Sequence, residues 1–273
     1  MHKLPVIALV LSVAAAATLL IFARGSGARH TSGPQWPQSP VVSLEQEVEF
    51  EDVQEAEQPS LQNYFGRRFR PMPDLSGWRR PEGPWKVALQ VGHWKTADLP
   101  DELGRLRERG GGTSGGGKAE WQVNLAIAEA TKDLLEADGI TVEILPATIP
   151  PSYWADVVVA IHADGSADPD VSGFKAAAPR RDYSGRGPAL VAALEEEYGR
   201  VTGMRLDANI TRNMTGYYAF NWRRYEHAIH PMTVAAIMET GFLTSPRDQR
   251  ILIRHPEVAA QGIAAAIRKF LEL

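Results

Sequence analysis

The sequence predicts an α/β fold in which one domain holds a largely parallel, twisted sheet flanked by helices, preceded by an N-terminal hydrophobic segment and a flexible stalk. Three observations carry this expectation. From Trp85 onward, apolar runs of strand length alternate with longer helical patterns, the order that builds parallel sheets with helical crossovers. Within residues 121–137, Val123, Ile127, Ala130, Leu134 and Leu135 recur at the spacing of one buried helix face. Upstream of residue 85 neither the strand period nor the helix period persists.

In chain order, residues 1–24 come first. An uncharged, mostly apolar run from Leu4 to Phe22 follows Lys3, and its nineteen residues, at about 1.5 Å each, just match a hydrocarbon core of roughly 30 Å. The run reads as a membrane anchor, or as a signal peptide cleaved near Ala14 to Ala17, and in both cases the remainder is expected outside the cytoplasm. Residues 25–84 read as a disordered linker. It contains the acidic stretch "LEQEVEFEDVQEAEQ" and the basic, proline-rich "FGRRFRPMPDLSGWRRPEGP", compositions that bury too little apolar surface to offset chain entropy. Alternation over Val48 to Val53 allows one short docked strand there.

The domain proper is expected over residues 85–273. Its strands are placed at Lys86 to Val91, Thr141 to Leu145, Asp156 to His162, Gly173 to Ala177 and Thr233 to Glu239. Its helices are placed at Trp121 to Ala137, Gly187 to Val201, Pro246 to Ile253 and Pro256 to Leu271. Between the first strand and first helix lies "RERGGGTSGGGKAE", read as a mobile flap. It is not a phosphate-binding P-loop, because Ala119 follows Lys118 where a Ser or Thr would hold magnesium.

Charge and composition narrow the function. With 29 Lys plus Arg against 33 Asp plus Glu and a net charge of -4, nothing suggests a nucleic-acid partner. The chain has no cysteine, so a metal would have to be held by His, Asp or Glu. No Gly-x-Ser-x-Gly elbow and no His-Glu-x-x-His helix is present.

Ligands of open α/β sheets bind beyond the carboxyl ends of the strands. His93 follows the first strand, His162 ends "ADVVVAIHADG", Glu239 ends "MTVAAIMETGF", and Glu120 stands just before the first long helix. Singly, each has a bland explanation: a core histidine, a rim carboxylate, or an acid favoured by a helix N-terminus. Together they place two histidines and two glutamates on one rim. One Zn2+ explains the set, since a catalytic zinc takes three protein ligands and leaves one position open. The remaining carboxylate would then serve as general base and acid. Gly92 is expected to let the chain turn sharply into His93.

These motifs resemble the zinc-dependent N-acetylmuramoyl-L-alanine amidases of the Amidase_3 type, over roughly residues 85 to 273. The resemblance rests on "GH" after the first strand, the early-helix Glu of "GGKAEWQVNLAIAEA", "AIHAD" and "IMETGFLTSPRDQRIL". It implies hydrolysis of the amide joining N-acetylmuramic acid to the L-alanine of the peptidoglycan stem. It further implies His93, Glu120 and His162 as zinc ligands and Glu239 as the catalytic carboxylate. Two positions depart from the family pattern: "QVGHWK" replaces Asp-Pro-Gly-His-Gly-Gly, and Asp164 stands where Asn is usual.

Trp94, His230 and Arg224 are expected to contact substrate. The partners implied are peptidoglycan and, through residues 4–22, a membrane. The alternatives are a zinc peptidase cutting within the stem, and a non-catalytic or autoinhibited wall-binding module awaiting a protein activator.

Overall fold

The computed structural model describes residues 69–108 and 110–273. The hydrophobic run at residues 4–22, the acidic stretch and the strand expected near Val48 lie outside the described residues. Within them, no helix is long and apolar enough to cross a membrane.

The elements are, in order, β1 (Lys86–Val91), α1 (Gly104–Glu108), β2 (Ser114–Gly115), β3 (Lys118–Ala119), α2 (Glu120–Glu136), β4 (Thr141–Leu145) and β5 (Val157–Asp164). They continue with β6 (Lys175–Ala177), α3 (Gly187–Thr202), α4 (Arg212–Thr215), β7 (Val234–Phe242), α5 (Gln249–Leu252) and α6 (Pro256–Leu271). Five strands form one sheet in the order β4-β1-β5-β7-β6. Every pairing is parallel except β6 with β7. The central strands β1, β5 and β7 are apolar over nearly their whole length and buried, as strands covered on both faces must be.

The two faces are covered differently. Helices α2, α3 and α6 pack over one face, where Leu89, Val159, Ile161 and Met238 meet Ile127, Leu194, Ile263 and Ile267. Each such side chain contributes roughly 1.5–3 kcal/mol on burial. The other face is closed by short helical turns and loops carrying Leu99, Leu103, Ile149, Tyr153, Met214, Phe220 and Ile229.

The strands β5 and β7 run past their expected ends, to Asp164 and Phe242, so His162 and Glu239 lie within paired strand, opposite each other in register. The expected helix from Pro246 shrinks to Gln249–Leu252. Its first residues turn instead around Asp248, a buried carboxylate that accepts hydrogen bonds from Ser172 Oγ (2.6 Å), Phe242 N (2.9 Å) and Gly173 N (3.0 Å).

Residues 69–84 contain no helix or strand, yet they are fastened to the domain. Arg80 forms two hydrogen bonds to Asp156, at 2.7 and 2.9 Å, and its guanidinium lies 4.3 Å from the Trp85 ring centre. Trp78 stacks on His230, and Arg70 exchanges hydrogen bonds with Arg223 through its backbone N–H and carbonyl.

Candidate metal centre and active site

Four elements bring their polar residues to one rim. His93 lies two residues beyond β1, Glu120 opens α2, His162 lies in β5 and Glu239 in β7. His93, Glu120 and His162 each offer a ligand atom, and these atoms lie within 4.8 Å of one another. Two imidazoles and a carboxylate at that separation, with the carboxylate buried, form a donor set suited to zinc. All four residues line a cleft of about 520 Å³, with Thr113, Asp164 and Thr244 along its walls.

Glu120 is the hub. Its Oε1 lies 3.0 Å from His162 Nδ1 and accepts from Ala163 N at 3.2 Å and Asn124 Nδ2 at 3.3 Å. Its Oε2 accepts from Thr113 N at 2.9 Å and lies 3.6 Å from His93 Nε2. Burial alone would raise its pKa, but the hydrogen bond and charge of His162, the charge of His93 and the Thr113 amide outweigh it, holding the group below its ordinary value. His162 shifts the opposite way. Burial disfavours its charged form, but the Glu120 hydrogen bond and the charges of Glu239 and Glu120 raise its pKa.

Glu239 is pushed up to about 7, chiefly by burial. The positive charge of His162 opposes this, whereas Glu120 and Asp164 add to it and Lys175 again opposes it. A carboxyl titrating there is suited to exchange protons at neutral pH.

The glycines of the site act through the space they leave. Gly92 opens the turn expected after β1, closed by Trp94 N donating to Val91 O, and the left-handed residue within that turn is His93, at φ 61°. A Cβ on Gly92 would sit 2.5 Å from His162 Nδ1 and 2.6 Å from Nε2, so its missing side chain is what admits the second imidazole. Gly112, at φ 78°, likewise leaves room for His93, whose Cδ2 would be 2.7 Å from an added Cβ.

The glycine-rich segment, expected as a mobile flap, forms a wall of the site. Its β2 and β3 pair as a hairpin, Gly110 O lies 3.2 Å from His93 Nδ1, and Thr113 bonds to Glu120 through both backbone and side chain atoms.

The three expected substrate contacts are not among the residues lining the cleft. Trp94 is half-buried against the main core, with Lys95 Nζ 4.4 Å above its ring. His230 stacks on Trp78 and accepts from Met232 N. Arg224 is exposed beside Tyr225.

Two further residues belong to the site. Asn124 stands one helical turn after Glu120, a spacing that could have flagged it. Tyr217 carries no such signal; it arrives from a distant loop, with its hydroxyl 3.3 Å from His162 Nε2 and its ring edge-on to the imidazole at 5.5 Å.

Comparison with known proteins is consistent with this geometry. The structure is similar to the N-acetylmuramoyl-L-alanine amidase AmiC2 of Nostoc punctiforme, at 19% identity and a TM-score of 0.51, covering 71% of this chain and 100% of that one. It is also similar to an N-acetylmuramoyl-L-alanine amidase from Clostridium difficile 630, at 19% identity and a TM-score of 0.50, over 70% and 98% of the two chains. A third is the amidase Ami1 of Mycobacterium smegmatis, at 18% identity and a TM-score of 0.50, over 69% and 97%. At these identities the likeness establishes the fold alone. No curated protein matches the sequence. The Amidase_3 family model, described as N-acetylmuramoyl-L-alanine amidase, matches residues 87–269, more than half of the sequence, and the chain belongs to that family.

Proposed function

We propose that this chain is a zinc-dependent hydrolase that cuts the amide between N-acetylmuramic acid and L-alanine of the peptidoglycan stem, acting outside the cytoplasm. The observation that carries the reading is the convergence of His93, Glu120 and His162, with ligand atoms within 4.8 Å, in the cleft that Glu239 also lines. His93, Glu120 and His162 would hold the ion. A zinc ion bound there supplies a Lewis acid that polarises the amide carbonyl and acidifies water.

The chain's own residues supply the rest. Glu239 takes the proton of the attacking water and delivers it to the nitrogen of the departing L-alanine as the C–N bond breaks. Its burial, which raises the carboxyl pKa above its ordinary range, favours its holding the proton between the two halves of that exchange. Asn124 and the Thr113 amide orient Glu120, and a ligand whose outer partners are fixed holds a metal more tightly. Residues 4–22 would tether the enzyme to the membrane, or be removed on secretion, and residues 25–84 would precede the catalytic domain at 85–273.

The test is mass spectrometry of fragments released from peptidoglycan by the purified protein, with and without a chelator, and by Glu239→Ala. The expected product is intact stem peptide beginning at L-alanine, lost on chelation and reduced at least about 100-fold by the substitution. Shortened stems still joined to muramic acid would replace this reading with a peptidase. No fragments from folded, zinc-loaded protein would replace it with a binding module.

A further inference from the structure

We propose that a second, smaller cavity beside the cleft binds a free carboxylate on the peptide part of the substrate, an inference that rests on the amidase reading above. The cavity holds about 110 Å³ and is lined by four arginines, Arg180, Arg181, Arg212 and Arg223, with Tyr217 and Trp222 among its aromatic walls. No acidic residue lines it. Among the described residues, the arginines that pair with carboxylates are Arg80, Arg200 and Arg268, all elsewhere. The neighbouring acid, Asp182, is committed to its own turn, accepting from Ser184 N, Ser184 Oγ and Gly187 N.

Four arginines line this volume, Arg180, Arg181 and Arg212 exposed and Arg223 donating its Nε–H to Arg70 O. They concentrate positive charge there with no acid among the walls, and an anion bound among them offsets their repulsion. Their planar, forked donors match a carboxylate, which can accept two parallel hydrogen bonds from each fork. Trp222 adds a second sign of an unmet partner: the residue is buried and its indole Nε1–H has no acceptor. Size narrows the ligand. At about 110 Å³, the cavity has room for a carboxylate and its adjoining carbon.

Position ties the cavity to the reaction. Tyr217 lines it and also places its hydroxyl 3.3 Å from His162 Nε2. One aromatic ring thus separates the arginines from the candidate metal centre. A peptide whose first amide lies at that centre can extend past Tyr217 and present a carboxylate to the arginines. This makes the cavity a specificity site for uncapped, anionic stems.

The experiment uses the full-length protein and two synthetic stem peptides, one ending in a free carboxylate and its twin ending in a carboxamide. Calorimetry is expected to show the acid binding at least about tenfold more tightly than the amide, as charged hydrogen bonds require. Arg180→Gln and Arg212→Gln should bring that ratio toward one while leaving affinity for the amide unchanged. Equal binding of the two peptides by the wild type overturns the proposal, with no variant needed, and so does a ratio that survives both substitutions. Cleavage of muramoyl forms of the same peptides separates this idea from its premise. Cleavage without preference sinks the carboxylate site and leaves the amidase reading standing, whereas acid preference without cleavage sinks the amidase reading and leaves the site.

Discussion

Gly92 shows how a residue can matter through an atom it lacks. The His162 imidazole occupies the space where its Cβ would stand, with both ring nitrogens within 2.6 Å of that point. Gly92→Ala should push His162 out of line with Glu120 and weaken zinc binding about 10–100-fold, the usual cost of disturbing a ligand's support. Zinc titration against a competing chelator reads this directly, with circular dichroism confirming that the fold is retained; unchanged affinity would refute the account. Beside it, His93 holds a left-handed conformation, φ 61°, which costs a non-glycine residue about 1–3 kcal/mol. His93, His162 and Glu239 were legible in the sequence because each interrupts, ends or closely follows an apolar run. The reason for Gly92 was not, since a sequence shows that a side chain is missing but not which distant ring fills the gap.

At the scale of elements, the short antiparallel strand β6 carries an electrostatic device at the edge of the cleft. Lys175 is buried, with its Nζ 2.7 Å from Asp164 on β5 and 3.0 Å from Asp207. Burial would raise the pKa of Asp207, but the Asn209 amide and Lys175 hold it below the ordinary value. Burial would lower that of Lys175, but Asp164 and Asp207 raise it. The Asp207 contribution to stability is therefore complete above its unfolded pKa of about 3.9 and lost as pH falls through the lower folded value. The Lys175 contribution is complete below about 10.4 and lost as pH rises through the higher folded value. Lys175→Met should cost about 2 kcal/mol near pH 7, because it leaves two partly exposed carboxylates facing each other. It should cost clearly less near pH 3. Urea denaturation at the two pH values checks this, and an equal cost at both would count against it. The main strands and the three long helices were readable from apolar periodicity. The helix expected from Pro246 was not, because the three hydrogen bonds of Asp248, which turn the chain there, come from residues far from it in sequence or from a strand end.

At the scale of the whole molecule, the limit of sequence reading is long-range contact. Arg80 finds Asp156 and Arg70 finds Arg223 across most of the domain, so a stretch with linker composition ends docked. Composition reports how little apolar surface a segment has, not which single ion pair captures it. Tyr217 reaches the site by the same kind of unreadable route. His93, His162 and Glu239, by contrast, stand on or just past the adjacent strands β1, β5 and β7, whose spacing of about 4.8 Å belongs to every sheet. The reacting groups are thus set out by a rigid ruler, while the surfaces that would receive the substrate are carried by loops, which open at lower free energy than central strands. Sub-denaturing urea should consequently raise KM while kcat holds, and the two curves should part company well before the global unfolding transition: the enzyme would lose its grip before it loses its chemistry.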